Sequence, residues 1–172
     1  MSKFACCLQV NKGNAICLQI ASKIIHFNVM KEIQHRSDCP VSFSLDYLGD
    51  KWVLLILRDL IFTNKATYGD FLTSKEKIAT NILADRLKLL EANGFITSAV
   101  SPEKKNKFVY SLTEKGIDLV PVIVELMLWG SKHNPPGNED LVKKVENDKE
   151  GTISQLKKQL LERLENKSTA AG

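Results

Sequence analysis

Apolar side chains recur at helical spacing through the middle of the chain, from residue 39 to residue 133. In the first half of that region the pattern predicts four helical segments. These segments are residues 41–48, 51–62, 67–73 and 78–92. Gly49-Asp50 separates the first two segments. Asn93-Gly94 follows the last one, where an Asn-Gly pair is typical of a helix C-terminus.

Two alternating segments come next, over residues 95–100 and 107–112, and they predict a β-hairpin with its tip at residues 101–106. A last helix is predicted from Thr113 to about Lys132. The resulting order of elements is helix, helix, short helix, long helix, hairpin and helix, which is the order found in a winged helix-turn-helix. The predicted fold class is therefore α+β, mainly α.

The helix predicted over residues 78–92 has two contrasting faces. The apolar face, which we expect to pack on the core, carries Ile78, Ile82, Leu83, Leu87 and Leu90. The opposite face carries Thr80, Asn81, Ala84, Asp85 and Lys88. Short polar side chains near the start of such a helix can reach base edges in the major groove of DNA. An ordinary solvated face has the same pattern, and Asp85 would repel phosphate unless Arg86 or Lys88 neutralises it.

Lysines surround the elements that would flank a DNA groove. Lys104, Lys105 and Lys107 lie at the predicted hairpin tip, and Lys75 and Lys77 precede the long helix. Lysines in these places can neutralise phosphates and fix the register of a protein on DNA without reading its sequence. A lysine-rich turn can also serve solubility alone, so the hypothesis depends on the hairpin and the polar helix face together.

The last predicted helix is apolar at nearly every position from Ile117 to Trp129. A helix that is apolar all round must be buried all round, and a small domain has too little core to do that alone. We therefore predict a dimer interface at Ile123, Leu126, Met127 and Trp129. Pro121 would kink this helix early or reset its start. A twofold dimer would present two reading helices to a palindromic operator in double-stranded DNA.

Both ends of the chain differ from its centre. We divide the chain into an N-terminal extension at residues 1–35, a domain at 36–133, and a linker with a charged tail at 134–172. Within the extension, Met30 is one candidate for the natural start, which would make residues 1–29 non-native, and an arm that packs on the core is the alternative. An amphipathic helix near residues 152–166 would either fold back onto its own domain or pair with a partner helix. Its apolar stripe is Ile153, Leu156, Leu160, Leu161 and Leu164.

Composition is that of an ordinary soluble protein, with 44% hydrophobic and 26% charged residues. The net charge of +4 lies mostly in residues 1–35, which hold four lysines and one glutamate, so residues 36–133 are nearly neutral. Overall charge therefore does not indicate nucleic-acid binding by itself. No segment is apolar enough for a membrane span or an export signal, and we expect a cytoplasmic protein.

Sequence motifs for catalysis or metal binding are not found. The chain has no nucleophile elbow, phosphate-binding glycine loop or HExxH motif, and its three histidines lie outside the patterned elements. The four cysteines, Cys6, Cys7, Cys17 and Cys39, contain no CxxC pair. We therefore expect neither an enzyme nor a cofactor or metal site.

Several of these segments, in this order, resemble the HxlR family of bacterial winged helix-turn-helix transcriptional regulators. The resemblance covers residues 36–133. It rests on Cys39-Pro40-Val41, Gly49-Asp50-Lys51-Trp52, Thr67-Tyr68-Gly69-Asp70-Phe71, residues 78–96, Tyr110 to Gly116, and Trp129-Gly130. It implies a homodimeric DNA-binding regulator in which additional N- and C-terminal helices form the dimer interface.

The resemblance also implies roles for single residues. Thr80, Asn81, Ala84 and Asp85 would face bases, and the hairpin lysines would contact the DNA backbone. Ala79 stands where many members have serine, the better N-cap, so Thr80 would share in capping. The alternative function is a winged-helix module that binds proteins and has no sequence-specific DNA binding.

Cys39 is a candidate redox sensor. It directly precedes Pro40, a residue favoured at the first position of a helix. A thiol at a helix N-terminus is stabilised as thiolate by the helix dipole, which raises its reactivity at neutral pH. The resemblance adds that several family members sense oxidants or electrophiles with the matching cysteine. The alternative is an inert capping or buried cysteine.

Overall fold

The computed structural model describes residues 36–101, 107–134 and 139–169. Some residues named above lie outside these ranges. They are Cys6, Cys7 and Cys17, Lys104 and Lys105, and residues 135–138 of the predicted linker. The elements in chain order are α1 (Pro40–Leu48), α2 (Lys51–Phe62), α3 (Tyr68–Leu72), α4 (Thr80–Ala92), β1 (Ile96–Val100), β2 (Phe108–Leu112), α5 (Glu114–Ile117), α6 (Val120–His133), α7 (Glu139–Asn147) and α8 (Lys149–Thr169).

The chain divides into two units, Met1–Asp46 and Tyr47–Gly172, and α1 runs across their boundary. In the described part of the first unit, the guanidinium of Arg36 pairs with the carboxylate of Asp46 at 2.9 Å. The second unit contains α2 to α8 and the buried apolar core. Its fully buried side chains include Val53, Leu57, Phe71, Leu83, Leu90, Ile96, Val120 and Val124.

Side-chain caps begin the helices α2 and α3. Asp50 accepts hydrogen bonds from the amides of Trp52 and Val53 and so caps α2. Thr67 and Asp70 form a reciprocal capping box at α3, in which each side chain accepts from the other residue's backbone amide. These caps satisfy amides that have no partner within the helix, and they explain why α2 and α3 begin where they do.

The predicted hairpin is present as an antiparallel pair of strands. Asn93 ends α4, and Gly94 has a φ of +70°, the left-handed conformation that glycine adopts without strain. β1 then pairs with β2 from Ile96 opposite Leu112 to Val100 opposite Phe108. An isolated bridge joins Thr67 to Val109 and ties the hairpin to the start of α3. The winged helix-turn-helix prediction is confirmed.

The last predicted helix is divided into α5 and α6. Pro121 lies in the first turn of α6, where a missing amide hydrogen costs nothing because no helical partner exists for it. Of the two effects considered for Pro121, a kink or a new start, the structure has the new start. Thr113 caps α5 by accepting a hydrogen bond from the Gly116 amide.

The C-terminal tail forms two helices that pack on the core of the second unit. The predicted helix near 152–166 is present as the longer α8, and α7 was not predicted. Ile153 and Leu160 are buried in the core, and Leu156 and Leu164 pack against it. Leu161 stays 37% exposed. Four of the five stripe residues thus fold back onto their own domain.

Candidate nucleic-acid interface

The start of α4 is anchored to α3. The Tyr68 hydroxyl donates a 2.7 Å hydrogen bond to the Thr80 carbonyl oxygen. Hydrogen bonds from the Thr67 side chain, and then from the amides of Thr67 and Ala66, hold the pKa of Asp70 below its usual value. The Asp70 carboxylate of the capping box is therefore ionised at neutral pH. The capping box fixes the start of α3, the helix that carries Tyr68.

The outward face of α4 carries the residues predicted to read bases. Thr80, Asn81, Asp85 and Lys88 are exposed, and Ala84 is half-buried. The structure thus brings all five onto the solvent side of one helix. The predicted core face of α4 is confirmed for Leu83, Leu87 and Leu90, which are at most 2% exposed, while Ile82 is half-buried. Ile78 is buried as well, but it lies two residues before the helix begins at Thr80.

The N-terminus of α4 has no side-chain cap from its N-cap residue. Ala79 occupies that position in extended conformation and has no polar side chain to offer. Thr80 lies one position later, inside the helix, with an exposed side chain. Uncapped amides at a helix N-terminus carry partial positive charge and can donate to an anion such as a phosphate.

One ion pair fixes how α4 lies against α2. The guanidinium of Arg86 contacts Asp50 at 2.8 Å, and Asp50 is also the cap of α2. The hydrogen bond from Arg86 is the main reason why the pKa of Asp50 is below its usual value. Arg86 thus makes its ion pair with Asp50, and the charge of Asp85 also helps to raise the pKa of Arg86. The pair was missed from the sequence because its members lie 36 residues apart.

A buried carboxylate organises the turn between α3 and α4. Asp59 is 3% exposed and accepts hydrogen bonds from Arg58 at 2.7 Å, Lys65 at 3.2 Å and the Ser74 hydroxyl at 2.5 Å. Arg58 also pairs with Glu76 at 2.5 Å. Ser74 and Glu76 belong to the turn that leads into α4, so this network connects α2 directly to the start of the base-reading helix.

The Arg58–Glu76 pair predicts a pH-dependent contribution to stability. The hydrogen bond from Arg58 lowers the pKa of Glu76 to about 2. A lowered carboxyl pKa stabilises the fold fully above the ordinary pKa, and the effect is lost as the pH falls toward the lowered value. Because the Glu76 side chain is 35% exposed, we expect Glu76→Gln to cost only about 1 kcal/mol at pH 7. Urea unfolding between pH 7 and pH 3 should show more than half of that difference lost at the acid end. A constant difference would contradict this assignment.

The lysines predicted to contact the DNA backbone lie at the edges of the helix-turn-helix. Lys75, Lys77 and Lys107 are exposed. Lys77 has a φ of +52°, an uncommon conformation for a residue with a side chain, and its amide donates to the Ser74 carbonyl at 3.0 Å. Lys107 is close enough to Asp70 to help lower the pKa of that carboxyl. Lys104 and Lys105 lie outside the residues that the structure describes.

Cys39 lies immediately before α1 with an exposed, free thiol. Hydrogen bonds from the amides of Ser42 and Val41 hold the pKa of Cys39 below its ordinary value. These are amides of the first helical turn, which confirms the N-terminal helix environment expected from Pro40. The environment favours a thiolate, the reactive form of cysteine.

The predicted dimer residues on α6 do not share one environment. Leu126 and Trp129 are 46% and 67% exposed, and Met127 is half-buried. Ile123 is only 4% exposed and belongs to the core of its own chain, so this residue is not available on the surface. Val122 is 43% exposed and joins Leu126 and Trp129 on one stripe. The helical spacing of residues 122, 126 and 129 is the pattern in the sequence that could have identified Val122 as a member of this stripe.

The part of the chain that the structure describes contains neither a metal-binding cluster nor a membrane-spanning helix. Across residues 36–101, 107–134 and 139–169, no cluster of His, Cys, Asp and Glu could hold a metal ion. In the same part of the chain, no helix is long and apolar enough to cross a membrane.

A family model and two related proteins place this chain among the same group of proteins. A family model described as HxlR-like helix-turn-helix matches residues 47–138. An uncharacterized HTH-type transcriptional regulator of Bacillus subtilis (strain 168), YdeP, is 38% identical over 95 residues, which are 55% of this chain and 73% of YdeP. Another, sll1512 of Synechocystis sp. (strain ATCC 27184 / PCC 6803 / Kazusa), is 36% identical over 93 residues, covering 54% of this chain and 68% of that protein.

A solved structure agrees with the sequence relatives. It is described as the redox regulator HypR in its oxidized form, and it superposes with a TM-score of 0.50 at 31% sequence identity. The superposition covers 58% of this chain and 100% of HypR. Since the family model spans more than half of the chain and the fold agrees with it, the chain belongs to the HxlR-like helix-turn-helix family.

Proposed function

We propose that this protein is a dimeric, sequence-specific DNA-binding transcriptional regulator. The observation that carries the proposal is the exposed polar face of α4, held between Tyr68 on one side and the Asp50–Arg86 pair on the other. A reading helix must present its side chains in a fixed orientation, and these contacts restrain it at both its start and its middle. The relatives are named as HTH-type transcriptional regulators, which supports the same function.

Within this proposal, α4 enters the major groove. Asn81 is the strongest candidate for base reading because an amide side chain can pair with adenine through two hydrogen bonds. Thr80 and Ala84 can contact a thymine methyl group. Asp85 would accept from a cytosine amino group, and Lys88 would reach a guanine or a phosphate. Their common position on the solvent face of α4 supports these roles.

Contacts to the DNA backbone are assigned to lysines outside α4. Lys75 and Lys77 precede the helix, and Lys107 directly precedes β2. Lys104 and Lys105 come shortly before Lys107 in the sequence. Each phosphate contact releases a counterion, so binding should weaken steeply as salt is raised. The exposure of Lys75, Lys77 and Lys107 supports this assignment.

The dimer is assigned to the exposed stripe of α6. Val122, Leu126 and Trp129 would meet their counterparts across a twofold axis, with Met127 at the margin. Exposed apolar stripes of this kind mark association surfaces. A twofold pair would separate the two α4 helices by about one turn of DNA, ~34–36 Å, and match a palindromic operator. The N-terminal helix α1 also exposes apolar side chains, at Val41, Phe43 and Leu45, and would contribute to the interface.

Cys39 is proposed as the oxidant-sensing residue. HypR, the solved relative, is described as a redox regulator, and the lowered thiol pKa of Cys39 supports the same type of chemistry here. Cys39→Ser should keep the DNA affinity of the reduced protein, because serine is a good helix cap. Hydrogen peroxide should change the affinity of the unmodified protein at least about tenfold and leave the variant unchanged. An equal response in both proteins would rule out this role for Cys39.

Selection of binding sites from random-sequence double-stranded DNA tests the proposed function. We expect the full-length protein to enrich an inverted repeat whose half-sites lie about 10 base pairs apart, centre to centre. Enrichment of a single half-site would contradict the proposed dimer but would still support sequence-specific DNA binding. Failure to enrich any sequence would contradict the proposal and favour the alternative, a winged-helix module that binds proteins.

A further inference from the structure

A groove of about 710 Å³ separates the hairpin from the C-terminal helix α8. Val100 and Val109 of the hairpin form one side, and Leu160 and Leu164 of α8 form the other. Leu60 of α2 and Leu112 of β2 also line it. A volume of this size is within the range of sites for small organic ligands, and its walls are mainly apolar as such sites usually are. α8 lies outside the residues that match the family model, so this groove depends on the tail of this chain.

The charged groups of the groove all have the same sign. Arg163 and Lys65 line it, and no acidic side chain does so among the residues that the structure describes. Lys65 is already paired with the buried Asp59 and with Ser74. Arg163 instead donates to the amide oxygen of Asn64, a neutral group, and makes no ion pair within the described ranges. The groove thus combines an apolar wall with one guanidinium that no carboxylate of the described residues balances.

A second cavity, of about 700 Å³ between α2 and α6, differs from the groove because carboxylates line it. Its charged lining residues are Lys51, Arg58, Asp59, Lys65, Lys75 and Glu76. Four of them, Arg58, Lys65, Asp59 and Glu76, are paired with one another in the network described above. A ligand carboxylate there could meet Lys51 or Lys75, but it would also lie near the negative charges of Asp59 and Glu76. In the groove at α8 it would only displace the hydrogen bond between Arg163 and Asn64.

We propose that the groove between the hairpin and α8 binds an amphipathic carboxylate, a small molecule with an apolar body and a single carboxyl group. The carboxylate would accept two parallel hydrogen bonds from the Arg163 guanidinium, the geometry in which arginine binds carboxylates most strongly. The apolar body would lie between Val100 and Leu164. Tyr110 also lines the groove.

Calorimetric titration of the full-length protein with octanoate tests this proposal, and 1-octanol is the neutral probe. Octanoate should bind with one molecule per chain, and Arg163→Gln should weaken octanoate binding about tenfold. The same substitution should leave octanol binding unchanged, because octanol does not use the guanidinium. Lys158→Gln, on an exposed position of α8 outside the groove, is the matched control and should bind octanoate as the unmodified protein does.

A second variant tests the apolar wall without disturbing the core. Val100 is 53% exposed, so Val100→Glu should fold normally and abolish octanoate binding by placing a like charge in the groove. Octanoate should also shift the backbone amide signals of Ala66 and Ala99, which line the groove. The proposal is overturned if octanoate does not bind at millimolar concentration, or if Arg163→Gln or Val100→Glu binds it unchanged. Amide shifts centred on Leu55 and Met127 of the second cavity would overturn it as well. None of these outcomes depends on DNA binding.

Discussion

Gly116→Ala is expected to destabilise the second unit by about 3 kcal/mol, toward the upper limit for overpacking. A Cβ atom at Gly116 would lie 2.2 Å from the Phe95 carbonyl oxygen and 2.9 Å from Leu112 Cδ2. The Phe95 carbonyl oxygen is a backbone atom at the junction between α4 and β1, so it cannot rotate away as a side chain would. The whole hairpin would have to shift relative to α5.

The same substitution at Gly130 is the matched control. A Cβ atom there would meet nothing within 4 Å, and Gly130 lies within the helix α6. Because alanine has the higher helix propensity, Gly130→Ala should stabilise the protein by about 0.5 kcal/mol or leave it unchanged. Urea unfolding followed by circular dichroism measures both values. Equal effects at the two positions would contradict the close packing between Gly116 and Phe95.

Asp59→Asn is expected to destabilise the protein by about 3 kcal/mol, since it leaves Arg58 and Lys65 without their buried counter-ion. The carboxylate is 4% exposed at its side chain and bonds to both cations and to Ser74. Because Ser74 lies in the turn before α4, the variant should also loosen the start of that helix. Faster amide hydrogen exchange in the first turn of α4 would report this second effect.

Asp118→Asn is the matched control for Asp59. Asp118 pairs with Lys157 at 3.0 Å, but its side chain is 77% exposed. An exposed pair contributes at most about 1 kcal/mol, and its contribution falls as salt is raised. Thermal unfolding of both variants separates the two cases. If Asp59→Asn were as mild as Asp118→Asn, the network could not be what holds the turn in place.

Most of the helices and strands of the second unit are predictable from the sequence because residues close to their ends determine where they begin and end. The segment predicted over 51–62 has the observed bounds of α2, and the strands were displaced by one residue at most. Asp50, Thr67 and Gly94 explain this agreement, since each acts on neighbours within four residues. The helix α7 was missed because its start lies beside Pro135-Pro136-Gly137, which reads as a linker.

The site was predictable only in part, and for a physical reason. The exposed face of α4 follows from helical periodicity, which a sequence displays directly. The contacts that hold that face do not, because Arg86 reaches Asp50, and Tyr68 reaches Thr80, across the turns of the fold. Ile123 illustrates the same limit: periodicity marks it as apolar, and only packing decides that it faces its own core instead of the surface.

The most direct test of the proposed function is how strongly Asn81 affects the choice between DNA sequences. Fluorescence anisotropy gives the Kd of the protein for its selected site and for a scrambled duplex, over a series of salt concentrations. We expect the unmodified protein to prefer its site at least about 10³-fold. Asn81→Ala should lose about 10- to 100-fold of that preference, with its affinity for scrambled DNA and its salt dependence unchanged. If Asn81→Ala kept the full preference, or if it weakened binding to both duplexes equally, α4 would not be reading bases through Asn81.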